Sequence, residues 1–333
     1  MVMIMKNKID FVILWVDGND KNWQKEKEKY LNSNEVDNRN IRYRDMDNLQ
    51  YWFRSVEKFT PWVNKIYFVT WGHIPEWLNI NNEKIVVVKH SDFIPKEYLP
   101  TFNSNVIDLN LYRIKGLSQY FVYFNDDTFI TDFMSPNDFF KNGMPCEEYG
   151  EMPILPYGSA FSYTMLNNAC IINKYYNKRK IYKKNWRKLI NFKYGLVNVK
   201  TFLSLPYEKF IGFYSSHLPI SFLKSYYEKL WSMEFDKCDS TSRNRFRTKQ
   251  DITTYIIKQF QILDNCFYPR KSKYGKLFII SNNNKKIINA IKKKKYKMIC
   301  INDQNEHVDF EKAKKEINAS FEILLPNKCS FEK

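Results

Sequence analysis

Residues 9–16 read IDFVILWV and run directly into Asp17-Gly18. A nearly continuous, β-rich apolar run of this length predicts a buried strand, and the Asp-Gly pair predicts a turn after it. Outward from there, residues 44–59 (RDMDNLQYWFRSVEKF) place Leu49, Trp52, Phe53 and Val56 at helical spacing, with Thr60-Pro61 as the stop. KIYFVT at 65–70 and KIVVVK at 84–89 read as further strands, and YFVYFN at 120–125 as a fourth. Strand, helix, strand in this order predicts an α/β fold with a mostly parallel sheet and covering helices. The charged stretch from about residue 19 to 40 is expected to be an exposed helix or a lid-like loop. Residues 131–210 read as irregular and basic, and residues 249–263 as helical. LFII, a Lys-rich helix and MICIND read as a final strand packing back onto the sheet.

With 333 residues, 44% of them hydrophobic, the chain is long enough for one large α/β domain or two small ones and can bury a sizeable core, which argues against disorder of the whole. No internal repeat or linker is evident. The formal charge of +17 draws anionic ligands or surfaces, a condition that nucleic acid, anionic lipid and phosphorylated sugars all meet. Six scattered cysteines, without a CxxC pair or a His at zinc spacing, fit a reduced, cytoplasmic setting. The N-terminal apolar run is too short for a signal peptide or a spanning helix, so any contact with an anionic membrane is expected to be peripheral, through basic residues such as Lys292 to Lys297. No Walker, GxGxxG or GxSxG pattern occurs, which removes support for P-loop kinases, classical dinucleotide enzymes and serine hydrolases.

Ligands of open α/β sheets gather at the carboxyl ends of parallel strands, so Asp17 and the Asp126-Asp127 pair are expected to face one crevice. Adjacent carboxylates suit a hard divalent cation, Mg²⁺ or Mn²⁺, although acid pairs also terminate strands and cap helices. His217, in Ser215-Ser216-His217-Leu218-Pro219, reads either as a general base or as a structural histidine. RNRFRTKQD at 243–251 places three arginines before a helix whose first turn is expected to hold Asp251. That arrangement serves a phosphate site or a solvated helix entry.

Taken together, these segments resemble the Stealth family, which includes bacterial capsule and cell-wall polysaccharide phosphotransferases and the animal lysosomal-enzyme GlcNAc-1-phosphotransferase. IDFVILWVDGND at 9–20 resembles its first block, and the stretch from RYRDMDNLQYWFRS to QYFVYFNDDTFI its second. SSHLPISFLKS with STSRNRFRTKQDI resembles the third, and ICINDQ with LLPNKCSFEK the fourth. Gln50, Asn105 and Tyr112 depart from residues frequent in the family, a basic residue at the first and His at the others.

The resemblance implies a Rossmann-like, nucleotide-sugar transferase (GT-A-like) core with a helical or irregular insertion. It implies a single catalytic domain over 1–333: a nucleotide-sugar-binding α/β half at 1–135, a basic irregular or helical acceptor-side region at 136–245, and a helix-strand segment at 246–333 completing the core. It further implies a UDP-sugar donor, a glycan or lipid-linked glycan acceptor, Mg²⁺ or Mn²⁺, and no nucleic acid partner. The expected reaction is transfer of hexose-1-phosphate with release of UMP; the alternatives are glycosyl transfer releasing UDP and a non-catalytic anion-binding protein. On this reading His217 is the base, Arg247 a phosphate clamp, and Asp126 and Asp127 the metal ligands. Asp17 and Gly18 border the nucleotide, Arg44, Asp45 and Arg54 support the phosphate side, and Asn103, Arg113, Asp251 and Asp303 complete the substrate-binding set.

Overall fold

The structure, a computed structural model, describes residues 8–31, 44–304 and 307–333. Four parallel strands form its centre: β1 (Ile9–Leu14), β2 (Ile66–Thr70), β3 (Ile85–Lys89) and β4 (Tyr120–Phe124). They are ordered β3-β2-β1-β4, and a later strand, β6 (Ile220–Leu223), adds antiparallel to β4. This is the mostly parallel α/β sheet that the apolar runs predict. Successive side chains point to opposite faces, so Phe11 and Ile13 of β1 enter one core and Val12 the other. The first core receives Trp52, Phe53 and Val56 of α2 (Leu49–Phe59). Phe11 meets Phe124 there at 4.8 Å between ring centroids. Full burial of each such side chain contributes roughly 1.5–3 kcal/mol. Asp10, wholly buried in β1, is satisfied by Asn64 Nδ2 at 2.6 Å and the Ser118 amide at 2.8 Å.

The charged stretch after β1 forms α1 (Lys21–Glu28), capped by Asp20, whose carboxylate accepts from the Asn22 and Trp23 amides. The rest of that expected lid, residues 32–40, lies outside the described residues. The 131–210 region is irregular only in its first part; from Ala160 on it is helical, with α4 (Ala160–Tyr175), α5 (Lys178–Leu189) and α6 (Val197–Ser204). Its lysines do not oppose helix formation, because lysine is a good helix former. The helix expected at 249–263 begins only at Tyr255 (α7, Tyr255–Leu263), so Asp251 is not in its first turn.

The last portion also differs from expectation. β7 (Gly275–Ile279) pairs in parallel with β8 (Met298–Asn302), and β8 runs antiparallel to the short β5 (Thr128–Ile130). These three make a second sheet instead of extending the first. Its register sets Cys300 opposite Thr128, directly after the acid pair. Among the described residues no helix is long and apolar enough to cross a membrane.

Candidate active site

β4 ends at Phe124 and delivers Asn125, Asp126 and Asp127 at its carboxyl end. Asp127 Oδ2 accepts from Asn302 Nδ2 at 2.9 Å and from Cys300 Sγ at 3.2 Å, and lies 3.5 Å from His217 Nε2. Burial opposes ionisation of Asp127. The His217 charge and the Asn302 and Cys300 donors outweigh that effect and hold the carboxyl below its usual range. Its other oxygen, Oδ1, is buried without a hydrogen-bond partner. Asp126 is exposed at the end of β4, with protein near enough to its carboxyl to desolvate it in part. That desolvation, with the neighbouring charges of Asp127 and Asp45, pushes it up to about 7. Two adjacent carboxyls driven apart in this way are a signature of a functional site.

His217 stands opposite them. Its backbone adopts a left-handed conformation, φ 50°, which few residues other than glycine take up, and such strain concentrates at functional sites. Nδ1 is 2.8 Å from the Tyr255 hydroxyl, at the first residue of α7. The Tyr255 oxygen, against the effect of burial, and then Asp127 raise the His217 pKa well above 6.5. Asp108, in α3 (Ser104–Asn110), is buried and hydrogen-bonded by the Tyr123 hydroxyl at 2.9 Å. Desolvation raises it to about 7, against the pull of Tyr123, Arg247 and His217.

Of the three clustered arginines only Arg247 turns to this crevice, where its guanidinium donates to Ser104 Oγ at the start of α3. Arg243 is held by Asp239, and Arg245 stacks on the Tyr30 ring at 4.7 Å. The loop carrying Arg247 is shaped by Asp251, which is fully buried. Its two oxygens accept from Asn103 Nδ2, Asn105 Nδ2, Asn244 Nδ2, the Thr248 amide and the Thr248 hydroxyl. Asn103 adds bonds to the Asn244 and Phe246 carbonyls. Asp251 and Asn103 therefore build the loop from within instead of facing a ligand. Asp251→Ala, leaving several buried donors unpaired, should cost about 2–4 kcal/mol of stability. Urea unfolding measures this, and an unchanged midpoint would contradict the assignment.

The remaining sequence candidates divide. Asp45 reaches Asp126 electrostatically and accepts from Trp15 Nε1 at 3.2 Å. Arg44 forms a fork with Asp303, Nε to Oδ2 at 2.9 Å and Nη2 to Oδ1 at 2.8 Å, beside the β8 end that supplies Asn302. Asp17 lies at the end of β1, its amide donating to His73 Nε2 at 2.7 Å, and the neighbouring Gly18 carbonyl accepts from Gln24. Arg54, expected on the phosphate side, is instead bound to Glu332 by two bonds and to the Leu325 carbonyl. It ties α2 to the C-terminal segment. Arg113 is likewise engaged elsewhere: it bonds Asn110 Oδ1 and stacks over Tyr112 and Trp231. Asp108, Tyr123, Tyr255, Cys300 and Asn302 escaped sequence reasoning. Cys300 and Asn302 lie in ICINDQ and Tyr123 in YFVYFN, motifs already singled out for other reasons.

A family model described as Stealth protein CR2, conserved region 2, matches residues 42–147, and one described as Stealth protein CR1, conserved region 1, matches residues 7–35. The capsular polysaccharide phosphotransferase WcwK of Streptococcus pneumoniae is 45% identical over 99% of this chain and 100% of its own length. The chain belongs to the Stealth family. Other relatives of this Stealth protein include the exopolysaccharide phosphotransferase cps2G of Lactiplantibacillus plantarum, 41% identical over 98% of this chain and 96% of the relative. The receptor polysaccharide phosphotransferase WefC of Streptococcus gordonii is 38% identical over 98% and 100%. Among solved structures, a galactosyltransferase LgtC complex with donor and acceptor sugar analogues is similar at a TM-score of 0.37, with 10% identity over 93% of this chain and 95% of that one. This Stealth protein is a transferase enzyme.

The residues at the acid pair fit a hard divalent cation. The unpartnered Asp127 Oδ1 and the adjacent Asp126 supply carboxylate oxygen, which Mg²⁺ and Mn²⁺ prefer. Ligand atoms of Asp127, His217 and Cys300 also lie within 4.8 Å of one another. Burial raises the Cys300 thiol well above its usual range and it donates to Asp127, so it favours its neutral form and makes a poor ligand for a hard ion.

Proposed function

We propose that this Stealth protein transfers hexose-1-phosphate from a UDP-sugar to a sugar hydroxyl, making a phosphodiester in a capsular or cell-wall polysaccharide and releasing UMP. The observation that carries the reading is His217, strained in backbone and set between Asp127 and Tyr255 across from Arg247's loop. The names of the relatives, all polysaccharide phosphotransferases, support the reaction type.

In the neutral imidazole, Nδ1–H donates to the Tyr255 oxygen and Nε2 keeps a lone pair. Nε2 takes the proton of the acceptor hydroxyl as its oxygen forms a bond to the β-phosphorus. The bond from that phosphorus to the bridging oxygen breaks, the electron pair leaves with UMP, and the anomeric bond stays intact. Such transfer depends chiefly on positioning and charge stabilisation. Arg247 contributes its planar fork to the phosphate oxygens, and Ser104 fixes the guanidinium. Asp126 and Asp127 would hold Mg²⁺ or Mn²⁺, which neutralises diphosphate charge when bound. Asp45, Arg44 and Asp303 border the same rim, and Asp17 and Gly18 border the nucleotide.

Arg247→Lys keeps the charge but not the fork, so kcat/KM should fall on the order of 10²-fold. Arg245→Lys should stay near wild type because Arg245 is stacked on Tyr30. Steady-state kinetics on both variants checks this, and the reverse pattern would move the clamp to Arg245. The reaction itself is tested by incubation with a panel of UDP-sugars, an acceptor glycan and Mg²⁺. Mass analysis should find UMP; UDP would mark a glycosyltransferase.

A further inference from the structure

α6 is turned inside out relative to an ordinary surface helix. Its buried residues are Thr201 and Ser204, and both positions are satisfied: the Thr201 hydroxyl accepts from the Glu151 amide, and Lys178 Nζ donates to the Ser204 carbonyl. Lys178 also forms a buried ion pair with Glu151 at 2.8 Å, which fastens α5 to the segment beneath α6. The large apolar side chains point the other way. Leu196 is 86% exposed, Phe192 85% and Leu203 73%, and Val199 and Phe202 are each 52% exposed. A cluster of large, exposed apolar groups on one short segment marks an interaction surface.

The surroundings indicate what covers it. Lys180, Lys183, Lys184, Arg187 and Lys200 are exposed on α5 and α6, the helices that precede and carry the apolar residues. From residue 178 to 209 the sequence has ten Lys or Arg and a single acid, Glu208, which is paired with Arg179. An apolar segment flanked in the chain by cations matches the interface of a bilayer carrying anionic headgroups. The Lys292 to Lys297 run lacks this combination: Lys294 and Lys297 face Asp132 and Asp138.

We propose that the 192–207 face, with the basic flank of α5, docks this protein on an anionic lipid bilayer. The segment is tied to the site's framework through the chain that follows it and through α4. Residues 152–154 pair with 211–212 directly after this segment, and Phe161 of α4 packs edge-on against Tyr255, the partner of His217. Docking here brings the protein to the surface at which a lipid-linked acceptor presents its glycan. The docking itself does not rest on the reaction proposed above, because vesicle binding is read without turnover.

The test is co-sedimentation of the full chain with sucrose-loaded vesicles of equal parts phosphatidylglycerol and phosphatidylcholine, against vesicles of phosphatidylcholine alone. Binding to the anionic vesicles is expected, weakened but not abolished by high salt. The double variant Leu196→Glu, Leu203→Glu should lower partitioning on the order of tenfold or more, with an unchanged melting curve. Lys183→Gln with Lys184→Gln should weaken binding to anionic vesicles only. Absence of vesicle binding, or equal binding by the Leu196→Glu, Leu203→Glu variant, would overturn the proposal. So would a wild-type dimer that ignores vesicles and becomes a monomer in that variant, since the face would then cover a second copy.

Discussion

His217→Ala should lose transfer activity by about 10²- to 10⁴-fold, the usual consequence of removing a general base. The loss should fall on the chemical step and leave UDP-sugar affinity within a few-fold of wild type, because the imidazole acts on the acceptor hydroxyl and not on the nucleotide. The pH profile separates this from a structural role. A base works unprotonated, and Tyr255 and then Asp127 raise the His217 pKa well above 6.5 despite burial. The wild-type rate should therefore rise with pH, with its midpoint on the alkaline side of 6.5, and the residual activity of the variant should lack that limb. Melting curves provide the control: a purely structural histidine would lose stability and activity together. Near-normal turnover with an unchanged profile would transfer the base role to another group, and Asp108 stands next to be tested.

Asp127→Asn should be nearly as severe. The amide keeps the size of the carboxylate but removes the charge that faces both His217 and the acid-pair cation site. Charge stabilisation by a bound cation is worth several kcal/mol, so turnover should drop roughly 10²-fold or more. Chelation of the wild type should suppress transfer reversibly in parallel. A second readout needs no turnover: the His217 pKa, followed by NMR of the imidazole in metal-free protein, should fall in Asp127→Asn, because that carboxylate is among the charges that hold it up. Full activity after rigorous metal removal, or an unmoved His217 titration in the variant, would remove Asp127 from this role.

The central sheet was legible because its signals are local. IDFVILWV, KIYFVT, KIVVVK and YFVYFN are apolar runs whose burial needs no knowledge of the rest of the chain, and all four became parallel neighbours. The position of Asp126 and Asp127 followed from the same reasoning, since a parallel strand must deliver its next residues to the carboxyl edge. The partners of Asp127 were hidden because they depend on register between distant segments. Cys300 and Asn302 arrive only because β8 pairs with β5, not with the main sheet. Charge without context misled at Arg54 and Arg113, whose guanidinium groups are taken by Glu332 and by aromatic faces. Asp251 misled for the opposite reason: it is needed by the site, but from inside the loop that presents Arg247. Asp108 gave no sequence cue because a lone acid in an apolar helix reads as a capping or surface residue until its burial is known.

The most direct test of the account follows the β-phosphorus itself. A UDP-sugar labelled with ³²P at the β position is incubated with the protein, Mg²⁺ and acceptor glycan, and the label is then sought in the nucleotide and the glycan fractions. Sugar-1-phosphate transfer predicts that the label moves into the glycan, in a linkage that resists phosphatase until the phosphodiester is cleaved, while unlabelled UMP appears in equal amount. Label retained in UDP, with unlabelled sugar added to the glycan, would contradict it.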